Sequence, residues 1–260
     1  MAKVFKHSSQ GKEPLLLIHG FLGSHEDWEL MLEGLSNRFA VSSIDLPSHG
    51  ISSPISPKIN SFDDLIEEVY LNIRQEFTGG IGVGYSLGGR ILLGLQHKAP
   101  ELFSELVLIS SSPGIKSEED RIARKQSDLC WIEKILNLPP EDFFTEWYRQ
   151  PIFSSEHWSE DLRSLIFNRR KISNRESLSK MLEICSPSSM PNYWSEIQKL
   201  GSKLTYICGQ RDQKYLKLSE EISLTNSEAH CHVVEKSGHL LPLEAPQQLA
   251  AILETIGKYR

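Results

Sequence analysis

A serine, an aspartate and a histidine stand far apart in the chain, at Ser86, Asp212 and His239, yet their types and order suit one proton relay. A serine hydroxyl is a poor nucleophile and a poor base until an imidazole takes its proton. That imidazole needs a carboxylate to fix its tautomer and stabilise its charged form. Ser86 lies in Gly84-Tyr85-Ser86-Leu87-Gly88, with a glycine two residues away on either side. A strained strand-to-helix turn that lifts a hydroxyl clear of a sheet needs neighbours without bulk at those positions. The same turn leaves the Leu87 N–H at a helix N-terminus, where developing negative charge is stabilised.

Rival readings of this glycine-rich stretch fail on spacing. A dinucleotide fingerprint starting at Gly82 and Gly84 requires glycine at Leu87, and a phosphate loop requires a following Gly-Lys-Ser/Thr. The partners of Ser86 should occupy loops after later strands. Asp212 follows the strand expected at Leu204–Cys208 through the turn Gly209-Gln210-Arg211, and His239 follows the strand expected at Cys231–Val234 through Ser237-Gly238. His7, His25, His97, His157, His230 and His232 have no comparable setting and read as surface or core residues. His19-Gly20 ends the first apolar run. Its loop can supply a second backbone donor for an oxyanion hole, with Phe21 N–H the candidate beside Leu87 N–H. His19 itself reads as a loop brace.

The elements that must position these residues follow from the apolar pattern. Leu15-Leu16-Leu17-Ile18 is an unbroken apolar run, as expected of a strand buried on both faces. Further strands are expected at Phe39–Ile44, Gly80–Val83 and Leu106–Ile109, with a possible edge strand at Lys3–His7 after which Gly11–Pro14 turns. Helices are expected at Ser24–Leu35, from Ser61 with a capping-box-like start, and at Leu87–His97. After Pro113-Gly114 the pattern breaks, and residues 115–200 read as helical, charged and aromatic. That block carries four of the five tryptophans, so it reads as a folded insertion rather than a linker. A helix at Tyr215–Leu224 and another at Pro246–Ile256 flank the last strand. Alternating strands and helices imply a mostly parallel sheet with helices on both faces.

Composition narrows the function classes. With 260 residues, 39% hydrophobic and 24% charged, the chain is an ordinary globular protein able to bury a large core. A net charge of −6 argues against nucleic acid as partner. No apolar run approaches a membrane span and the N-terminus lacks the apolar centre of a signal peptide, so a cytoplasmic location and no membrane partner are expected. The scattered Cys130, Cys185, Cys208 and Cys231 form no metal or redox motif and read as small buried apolar residues.

Together these motifs carry a resemblance. His19-Gly20-Phe21-Leu22-Gly23, Asp45-Leu46-Pro47-Ser48-His49-Gly50, the Ser86 turn, Gly209-Gln210-Arg211-Asp212 and Ser237-Gly238-His239 resemble the signatures of the α/β-hydrolase superfamily over nearly the whole length. Ser48 departs from it, since glycine is common there. Within the superfamily, Gly84–Arg90, Arg121–Asp128 and Phe144–Phe153 resemble the family of 2-succinyl-6-hydroxy-2,4-cyclohexadiene-1-carboxylate (SHCHC) synthases of menaquinone biosynthesis. The resemblance implies an α/β fold with a hydrolase core at 1–114 and 201–260 and a helical cap at 115–200. It also implies elimination of pyruvate from an enolpyruvyl cyclohexene carboxylate, with no metal or organic cofactor. The residues agree in kind. Arg90 lies one helical turn past Ser86, Arg124 opens the insertion, and Arg169-Arg170-Lys171 follow later. Guanidinium groups grip carboxylates in pairs of hydrogen bonds, so arginines around an active serine suit a small polycarboxylate substrate. Substrate contacts are expected from Arg90, Arg124 and Arg170 (with Arg169 the alternative to the last), and wall contacts from Tyr85 and Trp147. A monomer or weak oligomer is expected. The same triad would also serve a serine esterase or thioesterase, and the scaffold a non-catalytic binding protein.

Overall fold

The computed structural model describes residues 2–7, 11–35 and 38–257; Met1 and Arg260, which bound the expected core segments, lie outside these. Seven strands form one sheet in the order β1-β3-β2-β4-β5-β6-β7. They are β1 (Lys3–Lys6), β2 (Glu13–Ile18), β3 (Phe39–Asp45), β4 (Gly80–Tyr85), β5 (Phe103–Ile109), β6 (Leu204–Gly209) and β7 (His230–Val234). β1 runs antiparallel to β3, and every other pair is parallel. β2 lies between β3 and β4, so the chain reverses its direction of winding there and opens a crevice at the strand C-termini. Ile18 is opposite Gly84, which sets the loop after β2 directly beside Ser86.

The unbroken run in β2 is buried on both sides, and its period of two divides it cleanly. Leu16 and Ile18 join one core with Leu65 and Val69 of α2 (Phe62–Ile73) and Ile91 and Leu92 of α3 (Leu87–Lys98), whereas Leu15 and Leu17 face Trp28, Met31, Leu249 and Leu253 on the other side. Ser61 caps α2 with the expected capping box, its side chain accepting from Asp64 N–H while Asp64 reaches back. Three short elements differ from expectation. Glu13 and Pro14 already belong to β2, paired with Phe39 and Ala40, rather than to a turn. The helix expected at Ser24–Leu35 is a 3-10 turn at His25–Trp28 followed by α1 (Glu29–Leu32). The tighter turn fits the pull of Asp45, which accepts from the His25 backbone N–H at 2.7 Å. The last helix is shorter than expected, with α10 at Leu241–Glu244 preceding α11 at Pro246–Leu253.

Between β5 and β6 the chain forms helices: α4 (Glu118–Asn137), α5 (Pro140–Tyr148), α6 (Glu160–Arg169), α7 (Arg175–Ile184) and α8 (Trp194–Leu200). α9 (Gln213–Thr225) then separates β6 from β7. Trp131, Phe143 and Trp147 pack together, with the two indole rings 4.9 Å apart, and their cluster merges with the core under Val107 and Ile109. Among the described residues no helix is long and apolar enough to cross a membrane. Cys185 and Cys208 are buried as expected, but Cys130 and Cys231 are exposed, because they sit on the outer face of α4 and on edge strand β7.

The crevice depends on how closely α3 approaches β2. A Cβ at Gly88 would stand 2.0 Å from the Ile18 carbonyl oxygen, a contact with backbone that cannot swing aside. Gly88→Ala is therefore expected to cost about 1–3 kcal/mol of unfolding free energy and to displace Ser86. Urea unfolding followed by far-UV circular dichroism checks this, and a change under about 0.5 kcal/mol would refute the steric account.

Candidate active site

Ser86 follows β4 and caps α3 with φ 49° and ψ −107°, outside the regions an L-residue ordinarily occupies. Such a residue costs about 1–3 kcal/mol and persists only where its surroundings over-determine it. Here they do. Its N–H donates to Ile109 O at 2.8 Å, and its carbonyl accepts from Ser111 Oγ at 2.8 Å. A Cβ at Gly84 would meet the Gly88 carbonyl oxygen at 2.5 Å, which explains the flanking glycines.

The structure brings the three distant residues together. His239 Nδ1–H donates to Asp212 Oδ2 at 2.6 Å, and the Ser86 hydroxyl lies 3.1 Å from His239 Nε2. The carboxylate can only accept, so Nδ1 carries the ring proton and Nε2 is left to receive one. Asp212 is fully buried and caps α9, its Oδ1 accepting from Tyr215 N–H at 3.3 Å. The two partner loops are tied together: Arg211 N–H donates to Ser237 O at 2.8 Å and Gln210 N–H to Val234 O at 2.9 Å. A brace with no signal in the sequence is Glu244. Its carboxylate accepts from Gly238 N–H at 2.7 Å and Leu240 N–H at 2.9 Å, the two amides flanking His239. Burial raises the Glu244 pKa.

The loop after β2 is held as its histidine suggested. His19 Nδ1–H donates to Gly20 O at 2.7 Å, and Nε2 accepts from Leu46 N–H at 3.1 Å. Gly20 is required by contact with Tyr85, whose ring would meet an added Cβ at 2.5 Å. Among the described residues, neither Phe21 N–H nor Leu87 N–H donates to a protein acceptor, so both remain available beside Ser86. Ser48, the departure in the next loop, has φ 66°. That is a conformation glycine adopts freely, and here the serine hydroxyl contributes by bonding to Ser177 and accepting from Ile55 N–H at 3.1 Å.

A cavity of about 220 Å³ opens over Ser86 and His239. Phe21, Tyr85, Arg90, Arg124 and Trp147 line it, together with Asp128 and Lys214, which had not been singled out in the sequence. Tyr85 packs its ring 5.4 Å from the His239 ring, and Trp147 lies 5.1 Å from Phe21. Arg90 is buried and donates to Cys185 O. Burial first, and then the nearby Arg124 guanidinium, lower its pKa. Arg124 pairs with Asp128 at 2.8 Å, and Asp128 also accepts from Ser186. Among the described residues, three basic side chains, Arg90, Arg124 and Lys214, and one carboxylate, Asp128, thus line the cavity.

Arg170 does not reach the cavity, contrary to expectation. It lies behind Tyr148, donating to the Tyr148 hydroxyl at 2.6 Å and pairing with buried Asp27 at 2.9 Å. A lone buried Asp27 would be costly, and Arg170 is its counter-charge. Arg169 is not an alternative either, because it pairs with Glu29 at 2.8 Å away from the cavity. Charge alone could not separate arginines meant for a ligand from one meant for an internal partner.

This geometry agrees with the similarity to known proteins. Residues 13–246 match the alpha/beta hydrolase fold family, and the chain belongs to it. It is 30% identical over 259 residues to the 2-succinyl-6-hydroxy-2,4-cyclohexadiene-1-carboxylate synthase of Escherichia coli strain K12, spanning 98% of this chain and 97% of that one. The enzyme of the same name from Escherichia fergusonii is 31% identical over the same span. Within the fold family, the chain is thereby a member of the SHCHC synthase family. Among solved structures, MenH from S. aureus superposes with a TM-score of 0.87 at 22% identity, covering 97% of this chain and 96% of that one. A thermophilic esterase from Thermogutta terrifontis gives 0.79 at 18% identity, covering 97% and 91%; both likenesses are of fold.

The braced loops carry a pH liability. Burial, with His19 close by, pushes the His49 pKa down from 6.5 to about 3, and burial lowers that of His19 as well. Both rings are neutral in the fold, while the unfolded chain takes up protons below pH 6.5. Stability from this source is therefore complete above pH 6.5 and is lost progressively down to about pH 3. At pH 5 the His49 share of the loss is about 2 kcal/mol. Unfolding free energies measured at pH 7 and pH 5 should differ less for His49→Gln than for the parent chain, and an equal difference would overturn this.

Proposed function

We propose that this chain is an SHCHC synthase, releasing pyruvate from 2-succinyl-5-enolpyruvyl-6-hydroxy-3-cyclohexene-1-carboxylate. One observation carries the reading beyond the fold: the cavity over Ser86 and His239 is lined by Arg90, Arg124 and Lys214 and, among the described residues, by one carboxylate, that of Asp128. Such a wall is poorly suited to an apolar ester and suited to a ligand bearing several carboxylates. The full-length similarity to enzymes of that name supports the same choice.

The roles follow from proton accounting. The ring alkene of the substrate at carbon 3 becomes a 2,4-diene in the product. The proton on carbon 2, next to the succinyl ketone, must therefore leave as the bond from carbon 5 to the enolpyruvyl oxygen breaks. His239, oriented by Asp212, takes the hydroxyl proton of Ser86, and Ser86 Oγ takes the carbon-2 proton. Charge then develops on the succinyl carbonyl oxygen, where Phe21 N–H and Leu87 N–H can donate to it. The electron pair passes through the ring and leaves with enolpyruvate, which gains a proton at carbon and becomes pyruvate. Arg90 and Arg124 hold carboxylates, Tyr85 and Trp147 form walls, and Arg170 acts through Tyr148 rather than by contact. No metal or organic cofactor takes part in this scheme. In it, residues 1–114 and 201–260 form the catalytic core and 115–200 a helical cap. The enzyme works in the cytoplasm, as a monomer or weak oligomer.

Ser86→Ala is expected to lower pyruvate release by about a thousandfold or more, with the far-UV circular dichroism unchanged. Turnover within tenfold of the parent would remove Ser86 from the reaction. A simple aryl ester assayed alongside separates elimination from ester hydrolysis. Turnover of the ester without pyruvate release from the enolpyruvyl substrate would reassign the chain as an esterase.

A further inference from the structure

The catalytic cavity continues outward. A cleft of about 400 Å³ adjoins it, and Arg124, Pro187 and Lys214 line both. We propose that Lys214 is a carboxylate-binding residue at this junction, gripping the outer acid group of a substrate whose inner end is held by Arg90 and Arg124. The inference rests on the polycarboxylate reading above and adds a contact to it.

Lys214 is exposed, but neither its helix nor a neighbouring acid gains from its charge. Lys214 is the second residue of α9, in the first turn, where the helix dipole disfavours a cation. Nor does it neutralise a neighbouring acid, since among the described residues its ammonium makes no ion pair or hydrogen bond. The other cations along the junction are engaged. Lys116 pairs with Glu221 at 3.2 Å and lies 3.5 Å above the Trp194 ring, while Arg124 pairs with Asp128 at 2.8 Å. Lys214 thus neither stabilises its helix nor answers a charge; it is exposed, lies over the Tyr215 ring, and lines both the cavity and the cleft.

It stands close to the chemistry. The ammonium lies 5.5 Å from the centre of the Tyr215 ring, and that ring lies 4.8 Å from the His239 ring. Tyr215 is buried and donates its N–H to Asp212, so the residue that carries the lysine's ring contact is also bonded to the triad carboxylate. Guanidinium on the inner wall and ammonium at the mouth match a ligand with carboxylates at both ends. Fork-shaped donors grip the buried group in pairs of bonds, and a hydrated point charge suits the group nearer water.

The test compares the parent with K214R, K214Q and K214E in steady-state kinetics on the enolpyruvyl substrate. Calorimetric binding of propane-1,2,3-tricarboxylate provides a second readout. K214Q should raise KM about five- to tenfold with kcat within about twofold, K214E should raise it further, and K214R should stay near the parent. Added salt should weaken tricarboxylate binding more in the parent than in K214Q. Equal KM and equal tricarboxylate affinity across the four proteins would overturn the proposal. So would a loss confined to kcat, or K214R behaving as K214Q does. If the parent fails to release pyruvate but binds the tricarboxylate in a Lys214-dependent way, the substrate reading falls and the carboxylate site stands. If it does neither, both fall.

Discussion

The site depends on one steric constraint: a serine held at φ 49° in a turn that only glycine-sized neighbours can surround. Strand β4 must end, reverse and become α3 within the space left by β2 and β5. The Ile18 carbonyl presses on one side of the turn, and Ser111 holds the other. Because the turn is over-determined, the hydroxyl stands at the strand ends without needing side-chain support of its own. The strain is offset by the buried cores on both faces of the sheet, where Leu15 to Ile18 alternate between two helical layers.

Around that fixed hydroxyl the other groups are positioned by loops that brace one another. Arg211 and Gln210 tie the Asp212 loop to the strand and loop leading to His239, and Glu244 collects the two amides beside the imidazole. His19 spans the loops after β2 and β3, where its neighbour His49 also lies buried. These are short polar bonds, most of them at least partly buried, and the buried ones would be costly if left half-made. The helical segment between β5 and β6 completes the cavity from the far side. It contributes an aromatic wall at Trp131 and Trp147 and the guanidinium of Arg124. The proposed triad therefore stands at the strand ends, and the basic residues of the cavity come from α3, α4 and α9.

The two kinds of arginine illustrate how a buried charge acquires its role. Arg90 and Arg124 sit close together with Asp128 as the only acid on the cavity wall among the described residues, and burial and mutual repulsion lower the Arg90 pKa. An anionic ligand relieves that repulsion. Arg170 is equally buried, but its guanidinium is bonded to Asp27 and Tyr148. Its charge is answered inside the protein, and it does not line the cavity.

The sequence by itself determined the parallel sheet, the Ser86 turn and the order Ser86, Asp212, His239, because these depend on local signals. An apolar run of strand length, glycines where a Cβ cannot fit, and acids or histidines directly after strands are all written in neighbouring residues. The SHCHC synthase family was legible in the same way, from short segments around Ser86 and within the helical block. Only the tertiary structure decided which charged residues face the cavity. Arg170 turned inward to Asp27, 143 positions away, while Lys214, unremarkable in the sequence, came to stand at the cavity mouth. Glu244 became a brace for His239 through a loop conformation no local pattern announces. The physical reason is the range of the interaction. Sterics and periodicity act between neighbours in sequence, whereas a buried charge is assigned by whichever counter-charge the fold brings within hydrogen-bonding distance.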